Sequence, residues 1–496
     1  MIPLTLEEIA RITAGRVGPS QGPGSRRTEP GKVVVDGPVV TDSRQAQAGS
    51  LYVARIGEHA DGHLYAGGAA AQGAVAALVT REVTEVPYVL VDDVQEAFAA
   101  LAEHVVRSVP GLQVIGLTGS SGKTSTKDLL EAVLSEHGPT VATQGSLNSE
   151  VGVPITVCRT MPDTRYLVLE MGTRGPGQIR YLTEMTHPSV GVELNVGTAH
   201  VGEFGSRERI ADAKGELVES LPADGLAVLN ADDPLVAAMA GRTRARVVRT
   251  GRDAPGRDTP GRETAGRETA GRETAGPGKA PEIRAGDVRV DAQGRASFTL
   301  HTPEGSAPVA LRLLGEHMVD NALAAAAVAR EMGMGVADVA AALSRAERAS
   351  RWRLERHDRP DGVTVLNDAY NANPDSLAAA LRTLAAMGRG RRTWAVVGEM
   401  LELGGGAEAA HREAGQQAAG LGVDELVAVG EMAGEAARGF GARGRTVGDL
   451  DAAYDLLAAE LAPGDIVLLK SSHGSGLRHL GDRLVDPAAR SQGGTS

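Results

Sequence analysis

The feature that most constrains the fold of this chain is a glycine-rich loop between an apolar strand and an amphipathic helix. The run QVIGLTGSSGKTSTKDLLEAVLSEHG at 113–138 contains the three parts in that order. The loop residues are Gly119, Ser120, Ser121, Gly122, Lys123 and Thr124. They bring backbone N–H groups, a lysine and a hydroxyl to the start of a helix, which is the arrangement that holds a polyphosphate. The loop therefore predicts an ATP-type site in a nucleotide-binding α/β domain.

One position departs from the general phosphate-loop pattern. That pattern has a glycine five positions before the second loop glycine, and here this position is Leu117, with Gly116 one residue earlier. A GSSGKT run can arise by chance in a chain with 64 glycines. The apolar strand before it and the helical pattern after it nevertheless favour phosphate binding.

The 496 residues are enough for about three domains at roughly 150 residues each. Residues 1–110 mix short apolar runs with polar turns and predict a small mixed α/β domain. Residues 111–347 contain the phosphate loop and predict a central ATPase domain with a parallel sheet. Residues 348–496 predict a second open α/β sheet, Rossmann-like and without a phosphate loop of its own.

The predicted strands of the last two segments alternate with helical stretches, which favours largely parallel sheets with helices on both faces. In the central segment they lie at 166–170, 190–194 and 226–229, with strand-like residues again at 287–300; in the last segment they lie at 363–368, 394–400, 425–430 and 465–470. The fold class that follows is α/β with three domains.

Residues 251–275 are five tandem pentads, GRDAP GRDTP GRETA GRETA GRETA. They are charged and contain no large apolar residue, so stacking them would bury almost no surface. A solvated, disordered insertion over 251–280 is favoured over a solenoid, and a surface loop can carry it because loop-closure entropy grows slowly with length. The strand-like residues that follow indicate that this loop joins two strands of one domain.

Charge and hydropathy exclude several classes of protein. Lys and Arg total 51 and Asp and Glu 63, a formal net charge of −12, so a general nucleic-acid binder is not expected. We find no run of about 18 apolar residues that predicts a membrane helix. The single cysteine, Cys158, cannot form an intramolecular disulfide, which fits a reducing compartment. The start of the chain predicts a helix with a Thr5–Glu8 capping box and a left-handed Gly15 at its end, rather than a secretory signal. We expect a cytoplasmic protein.

Three further residues are candidates for chemistry at the loop. Glu170 closes the strand at 166–170, and a carboxylate at the carboxyl end of a parallel strand faces the crevice where such sheets bind ligands. With His200 and the loop it suggests a Mg²⁺ site completed by phosphate and water, although each residue alone also fits a structural role. Lys214 is one of only six lysines, and its alternative is an ion pair with Glu216 on a helix surface.

Four blocks of sequence carry a resemblance to a known family. They are TDSRQAQAGSLYVARIGEHADGHLY, TGSSGKTSTK, LGEHMVDNALAAAAVA (314–329) and LNDAYNANPDSLAAAL (366–381). The chain resembles the Mur ligases, the ATP-dependent amino-acid ligases of peptidoglycan precursor synthesis, over nearly all of its length except the pentads. GEMLELG (398–404) and LNSEVGVP (147–154) are similar to the member that adds D-alanyl-D-alanine, and the DNPR motif usual in the member that adds the third residue is absent from the sequence.

The resemblance implies a role for each matching residue. The uridine-diphosphate-binding turn would be Thr41, Asp42, Ser43 and Arg44; the ATP site would comprise residues 119–124, Asn321, Arg353 and Asp368; Asn148, Ser149, Tyr370 and Asn371 would lie at the muramyl-peptide; and Thr124, Glu170 and His200 would hold Mg²⁺. The implied catalytic residues are Lys123, His200 and Lys214.

Two of these implications concern lysine chemistry and a departure from the family pattern. Lys214 matches the lysine that the family converts to a carbamate supporting a second Mg²⁺. This conversion makes physical sense because a protonated lysine about 4 Å from a divalent cation is repelled by roughly 8 kcal/mol at an effective dielectric constant of 20. KSSHGS at 470–475 replaces the usual KGSRS, with His473 where arginine is expected, so these residues stay outside the implied catalytic set.

The implied reaction joins D-alanyl-D-alanine to UDP-N-acetylmuramoyl-tripeptide through an acyl phosphate, with ATP and Mg²⁺, in a monomeric protein. Residues 1–110 would bind the UDP-muramoyl substrate, 111–347 ATP, and 348–496 would be the ligase domain. Three alternatives remain open at this point: a sibling ligase that adds a single amino acid, a P-loop kinase or regulatory NTPase, and a non-catalytic nucleotide-binding protein. The kinase or NTPase would explain GSSGKT but not the TDSR and NALAA blocks, and the non-catalytic protein predicts ATP binding with no phosphate release under any substrate mixture.

Overall fold

The computed structural model describes residues 1–20, 29–57, 60–199, 201–253 and 280–486. Within these residues the chain forms a first, a central and a third lobe, each built on one main β-sheet. No helix in these ranges is both long and apolar enough to cross a lipid bilayer.

The first lobe is built on a five-stranded sheet in the order β2-β7-β6-β5-β4. Its strands are Leu4–Thr5, Arg16–Gly18, Val34–Val35, Val39–Val40, Ser50–Val53, Ala74–Val79 and Tyr88–Leu90 (β1–β7), and its helices are Leu6–Ile12, Ala66–Gln72 and Val94–Ser108 (α1–α3). Strands β4 to β7 pair in parallel and β2 is antiparallel to β7, which confirms the mixed α/β prediction.

Helix α1 begins as predicted but ends differently. Thr5 Oγ1 accepts a hydrogen bond from the Glu8 backbone N–H, and the Glu8 carboxylate accepts one from the Thr5 backbone, so the capping box is present. The residue in the left-handed region is Ala14, with φ of 51°, and the prediction for Gly15 is wrong. Gly15 is needed for space instead, because a Cβ there would lie 2.6 Å from Val89 and 2.7 Å from Val91.

The central lobe contains a nine-stranded sheet in the order β16-β15-β14-β13-β12-β11-β8-β10-β9. Its strands are Gln113–Thr118, Thr140–Ala142, Tyr166–Glu170, Val190–Glu193, Leu226–Asn230, Arg246–Arg252, Ile283–Val290, Arg295–Thr302 and Gly305–Leu314 (β8–β16). Its helices are Lys123–Ser135, Gly152–Val157, Gln178–Thr186, Val201–Phe204, Arg207–Glu219, Pro234–Ala238, Met318–Glu331 and Val336–Arg345 (α4–α11). Strands β8 to β14 are parallel, as predicted, and the last two are antiparallel.

Two details of this sheet differ from expectation. The strand-like run at 287–300 is a hairpin rather than one strand, because β14 and β15 are separated by a turn with Gly294 at φ of 80°. Strand β13 extends two residues into the first pentad, and its end pairs in parallel with β14, at Arg252 and Ala285. The predicted insertion therefore does join two neighbouring strands, and its residues 254–279 lie outside the described part of the chain.

The third lobe contains a six-stranded sheet in the order β17-β18-β22-β19-β20-β21, in which all strands but β17 are parallel. Its strands are Glu355–Asp358, Thr364–Asn367, Thr393–Val397, Glu425–Val429, Gly444–Val447 and Ile466–Lys470 (β17–β22), and its helices are Pro374–Met387, Ala407–Gly420, Gly434–Phe440, Leu450–Glu460 and Leu477–Val485 (α12–α16). Separate apolar clusters cover its two faces, as expected for a Rossmann-like sheet.

The first and central lobes share one apolar core. Val105 and Val109 at the end of the first lobe belong to the same buried cluster as Val114, Leu167 and Met171 of the central lobe. Burial of a continuous apolar surface favours a fixed arrangement of these two lobes. The third lobe contacts the central lobe mainly through polar side chains, which are described with the site below.

Candidate functional site

The glycine-rich loop has the geometry of a phosphate-binding loop. Gly122 precedes α4 with φ of 80°, a conformation that favours glycine. Asn195 holds the loop through its side chain, which accepts a hydrogen bond from the Ser121 N–H (2.9 Å) and donates one to the Ser121 carbonyl (3.1 Å). Lys123 Nζ donates to the Gly119 carbonyl at 2.7 Å, so the lysine lies back across the loop. The predicted strand, loop and helix are confirmed.

Burial lowers the pKa of Lys123, while the nearby Glu170 carboxylate raises it and Arg353 lowers it further. A cation held in a desolvated loop attracts anions more strongly than one in water, because little solvent screens it. The loop therefore presents a lysine that has no ion-pair partner among the described residues, and a helix N-terminus, to the same space.

Glu170 ends β10, next to the strand that leads into the loop, where it pairs in register with Leu117. Its side chain is buried, and one carboxylate oxygen accepts a hydrogen bond from Asn148 Nδ2 at 2.7 Å. The other oxygen has no hydrogen-bond partner among the described residues. A buried carboxylate oxygen without a donor fits a cation ligand, since hard divalent cations prefer such oxygens.

Lys214 lies buried on α8, and its Nζ donates to Thr118 Oγ1 at 3.4 Å. Burial is the main reason that its pKa is lowered to about 7, and Lys123 lowers it further, whereas Glu193 and Glu170 raise it. The alternative of a surface ion pair with Glu216 is wrong, because the Glu216 carboxylate accepts hydrogen bonds from the N–H groups of Gly177 (2.7 Å) and Arg180 (3.0 Å) instead.

The third lobe places one arginine directly on the loop. Arg353 donates from Nη2 to Thr124 Oγ1 at 3.0 Å, and its guanidinium lies 4.4 Å from the centre of the Tyr370 ring. The residues on either side of Arg353, Trp352 and Leu354, have φ of 56° and 52°. Such left-handed conformations cost free energy in non-glycine residues and cluster at functional sites. The backbone of this segment therefore holds Arg353 toward the central lobe.

Asp368 and Tyr370 also lie at this interface. Asp368 accepts a hydrogen bond from the Leu354 N–H (3.0 Å) and forms an ion pair with Lys470 (2.8 Å). The Tyr370 hydroxyl is hydrogen-bonded to Ser146 of the central lobe. The Asn371 carbonyl accepts from Lys470 Nζ at 2.8 Å. These contacts position the predicted third-lobe residues at the edge of the phosphate loop.

Two cavities meet at the loop. The larger, of about 660 Å³, is the reaction cavity, and its lining includes Lys123, Thr124, Asn148, Ser149, Glu170, Lys214, Arg353, Tyr370 and Asn371. The smaller, of about 360 Å³, lies on the other side of the loop, and its lining includes Glu193, Asn195, His317, Asn321, Arg353, Asp368 and Lys470. Loop residues Ser121 and Gly122 line both cavities. Fifteen of the candidate residues thus lie at one junction between the central and third lobes, because Ser120 also lines the larger cavity and the Gly119 carbonyl accepts from Lys123.

The remaining candidates lie elsewhere. Thr41 to Arg44 form a turn in which the Asp42 carboxylate accepts from the Arg44 N–H (3.0 Å) and pairs with the Arg44 guanidinium (2.8 Å). Within the described residues, no hydrogen bond or ion pair connects this turn to the phosphate loop. His200 lies outside the described residues, and no group of three or more His, Cys, Asp or Glu side chains suited to a metal is found among those that are described.

Sequence reasoning missed several residues of the site. Asn195 holds the loop at Ser121, and Lys470 pairs with the Asp368 carboxylate of the third lobe. Asn373 Nδ2 donates to the Ser120 carbonyl at 3.3 Å. Glu193 is buried without a partner for either carboxylate oxygen among the described residues, and burial raises its pKa to about 8. The sequence could have indicated Glu193 as a site residue, because it ends an apolar strand as Glu170 does. His473 lines the reaction cavity and lies 5.1 Å from the Tyr370 ring, centre to centre.

A chain with this fold and site belongs to the Mur ligase family. The family's middle-domain profile matches residues 117–329, its glutamate ligase domain profile matches 352–473, and its catalytic domain profile matches 38–112. Together these matches cover most of the chain.

Named relatives agree with this placement. The UDP-N-acetylmuramoyl-tripeptide–D-alanyl-D-alanine ligase of Mycobacterium tuberculosis is 44% identical, over 98% of each chain. Among solved structures, a crystal structure of MurF from Acinetobacter baumannii superposes with a TM-score of 0.82 at 29% identity, covering 98% of this chain and 99% of that one. MurF ligase from Thermotoga maritima in complex with ADP superposes with a TM-score of 0.73 at 25% identity, covering 91% and 98%.

Proposed function

We propose that the chain is an ATP-dependent ligase that joins D-alanyl-D-alanine to UDP-N-acetylmuramoyl-tripeptide. The terminal carboxylate of the tripeptide attacks the γ-phosphorus of ATP, which forms an acyl phosphate and releases ADP. The amine of the dipeptide then attacks the acyl carbon, a proton leaves the nitrogen, and inorganic phosphate departs as the amide forms. ATP supplies the driving force, since amide formation from a free carboxylate is unfavourable in water.

The observation that carries the proposal is the convergence of a phosphate loop, an unpartnered buried carboxylate and a third-lobe arginine on one cavity. The similarity to the mycobacterial ligase over 98% of both chains supports the same reaction and the same substrates. The ADP complex of the Thermotoga relative supports ATP as the phosphoryl donor.

Electrostatics at the loop suits the first step, in which an anion attacks another anion. Lys123 and the α4 N-terminus stabilise charge on the transferring phosphoryl group, and Arg353 adds a second cation from the third lobe. Asn321 and Asp368 line the smaller cavity and would contact the remainder of the nucleotide. Because Arg353 and Thr124 belong to different lobes, closure of the third lobe assembles this charge distribution.

Mg²⁺ fits the residues present, since Glu170 offers an unpartnered oxygen and Thr124 a hydroxyl at the end of the loop. We propose that these two residues, with His200, hold it. When bound, Mg²⁺ supplies positive charge that polarises the phosphoryl oxygens. The buried Lys214 would extend the ligand set as a carbamate, because its lowered pKa leaves a neutral amine able to react with CO₂ near neutral pH.

The muramyl substrate would enter from the first lobe. Asn148 and Ser149 line the reaction cavity, and the neighbouring Glu150 carbonyl accepts a hydrogen bond from Gln95 Nε2 of α3 at 2.7 Å. This contact connects the first lobe with the cavity wall. We propose that the turn Thr41–Arg44 binds the uridine diphosphate, and that Tyr370 and Asn371 contact the peptide from the third lobe.

Phosphate release tests the function. With UDP-N-acetylmuramoyl-tripeptide, ATP and Mg²⁺, we expect phosphate release that depends on D-alanyl-D-alanine. We also expect a product that contains the tripeptide extended by the two alanyl residues. Phosphate release that does not depend on the dipeptide, or that single amino acids support equally well, contradicts the assignment. We also propose that the reaction takes place in the cytoplasm and that a monomer performs it, since one chain supplies both lobes that line the cavity.

A further inference from the structure

The edge of the reaction cavity contains an ion pair that the proposed roles do not use. Arg174 lies in the loop between Glu170 and α6, and its Nη2 is 3.5 Å from Glu402 Oε1 of the third lobe. Both side chains line the cavity. The Arg174 side chain is 72% exposed, so an incoming ligand can reach its guanidinium.

The other cations that line this cavity are engaged at the phosphate loop. Lys123 donates to the Gly119 carbonyl, Arg353 to Thr124, and Lys214 to Thr118. Arg174 instead faces the loops of the third lobe, where the exposed apolar side chain of Leu401 precedes Glu402. The cavity wall therefore includes a cation that is paired with the third lobe rather than with the phosphate loop, and an exposed apolar side chain next to its partner in sequence.

We propose that Arg174 binds the terminal carboxylate of the amine substrate, which leaves the amine end directed toward the phosphate loop. This assignment rests on the proposed function. A dipeptide that is to be acylated at its nitrogen must keep its negative end away from the phosphates, and arginine presents two parallel N–H groups to a carboxylate. Leu401 provides an apolar contact for the alanyl methyl groups.

Glu402 pairs with the Arg174 guanidinium when the dipeptide is absent. The Glu402 carboxylate has the same charge and shape as the carboxylate of the proposed ligand. In the ion pair with Arg174, Glu402 therefore takes the place that we assign to the substrate carboxylate. Exchange of one carboxylate for the other costs little, because exposed ion pairs are weak. Since the two residues belong to different lobes, opening of the third lobe frees Arg174.

The experiment measures KM for each substrate in the full chain carrying Arg174→Ala, with D-alanyl-D-alanine and with its C-terminal amide. We expect KM for the dipeptide to rise roughly 10-fold, the lower end of the loss for one charge-assisted contact because the Arg174 side chain is exposed, with KM for ATP and for the muramyl-tripeptide within about twofold. The unaltered protein should discriminate against the amide by a similar factor, and Arg174→Ala should not discriminate. Arg180→Ala is the matched control, since this exposed arginine lies outside the cavity and pairs with Glu219 at 3.8 Å.

Glu402→Gln separates substrate binding from a purely structural ion pair. If Arg174 acts only by fastening the lobes, Glu402→Gln raises KM for the dipeptide as much as Arg174→Ala does, and the assignment is overturned. It is also overturned if Arg174→Ala raises KM for the muramyl-tripeptide instead, or still discriminates against the amide. If the unaltered protein shows no dipeptide-dependent phosphate release, the proposed function itself fails.

Discussion

Replacing Asp128 by asparagine tests how the phosphate-loop helix is attached to the segment that leads into the third lobe. Asp128 lies on α4 with its side chain 5% exposed, and it forms a buried ion pair with Lys127. The same carboxylate accepts hydrogen bonds from the backbone N–H and the hydroxyl of Ser350, each at 3.0 Å. The nearest further carboxylate, that of Glu131, lies 3.9 Å from Lys127 Nζ.

The expected cost follows from the charge that is left behind. Removal of one partner of a buried ion pair costs about 3–5 kcal/mol, because the other charge stays buried without compensation. Glu131 compensates part of the Lys127 charge, so we expect about 3 kcal/mol. For a lobe of 150–250 residues each kcal/mol lowers Tm by roughly 2–4 °C. Asp128→Asn should therefore lower Tm by about 6–12 °C.

Thermal unfolding followed by circular dichroism measures this change. The double variant Lys127→Met with Asp128→Asn should recover most of the loss, because no uncompensated charge remains. Asp163→Asn, at an exposed acid of the same lobe, is the control and should leave Tm unchanged. A decrease below 2 °C for Asp128→Asn, or a double variant no more stable than the single one, would refute the reasoning.

Three further predictions concern other parts of the chain. Because burial lowers the pKa of Lys214 to about 7, its amine is mostly protonated at pH 6 and mostly neutral at pH 8, so a carbamate signal in ¹³C NMR with ¹³C-bicarbonate should grow over that interval. Asp375→Ala removes the third-lobe carboxylate that accepts from the Thr198 N–H (2.9 Å) and hydroxyl (3.2 Å), and kcat/KM for ATP should fall roughly 10- to 150-fold, which corresponds to about 1.5–3 kcal/mol. Ala14→Gly relieves a left-handed alanine at the end of α1 and should stabilise the chain by about 0.5–1 kcal/mol in urea unfolding.

Each of the three has a control and a contradicting result. A carbamate signal that persists in Lys214→Ala arises from another amine and contradicts the first. Asp361→Ala, at an exposed acid paired with Arg359, should leave kcat/KM unchanged, and an equal fall in both variants contradicts the second. A loss of stability in Ala14→Gly would show that the entropy of glycine outweighs the relief of strain.

Much of the fold could be predicted because the signals for it are local. The strand, loop and helix at 113–138 need only an apolar run, glycines and a 3.6-residue period, and the strand at 166–170 matches its prediction at both ends. The capping box of α1 lies within four residues. The end of the same helix was predicted wrongly, because the demand on Gly15 comes from Val89 and Val91, some 75 residues away in sequence.

The site could be predicted only in part. Motifs identified the loop, Glu170, Lys214 and Arg353, but a motif does not say which groups are left without a partner. That depends on the order of strands in the sheet. Strand β11 pairs with β8, although β9 and β10 lie between them in sequence. This pairing places Glu193 beside Thr118, which contacts Lys214. The KSSHGS segment was set aside for its departure from the family pattern, yet Lys470 contacts Asp368 and Asn371.

By itself, the sequence determined the three α/β lobes, the phosphate loop and the family to which the chain belongs, since these follow from short-range pattern and from matched motifs. Only the tertiary structure decided that Lys214 is buried beside Thr118 rather than paired with Glu216, that Arg353 reaches Thr124 and that Arg174 faces Glu402. The reason is physical: burial, desolvation and the pairing of charges depend on residues distant in sequence coming within a few ångströms, as Arg353 and Thr124 do across 229 positions.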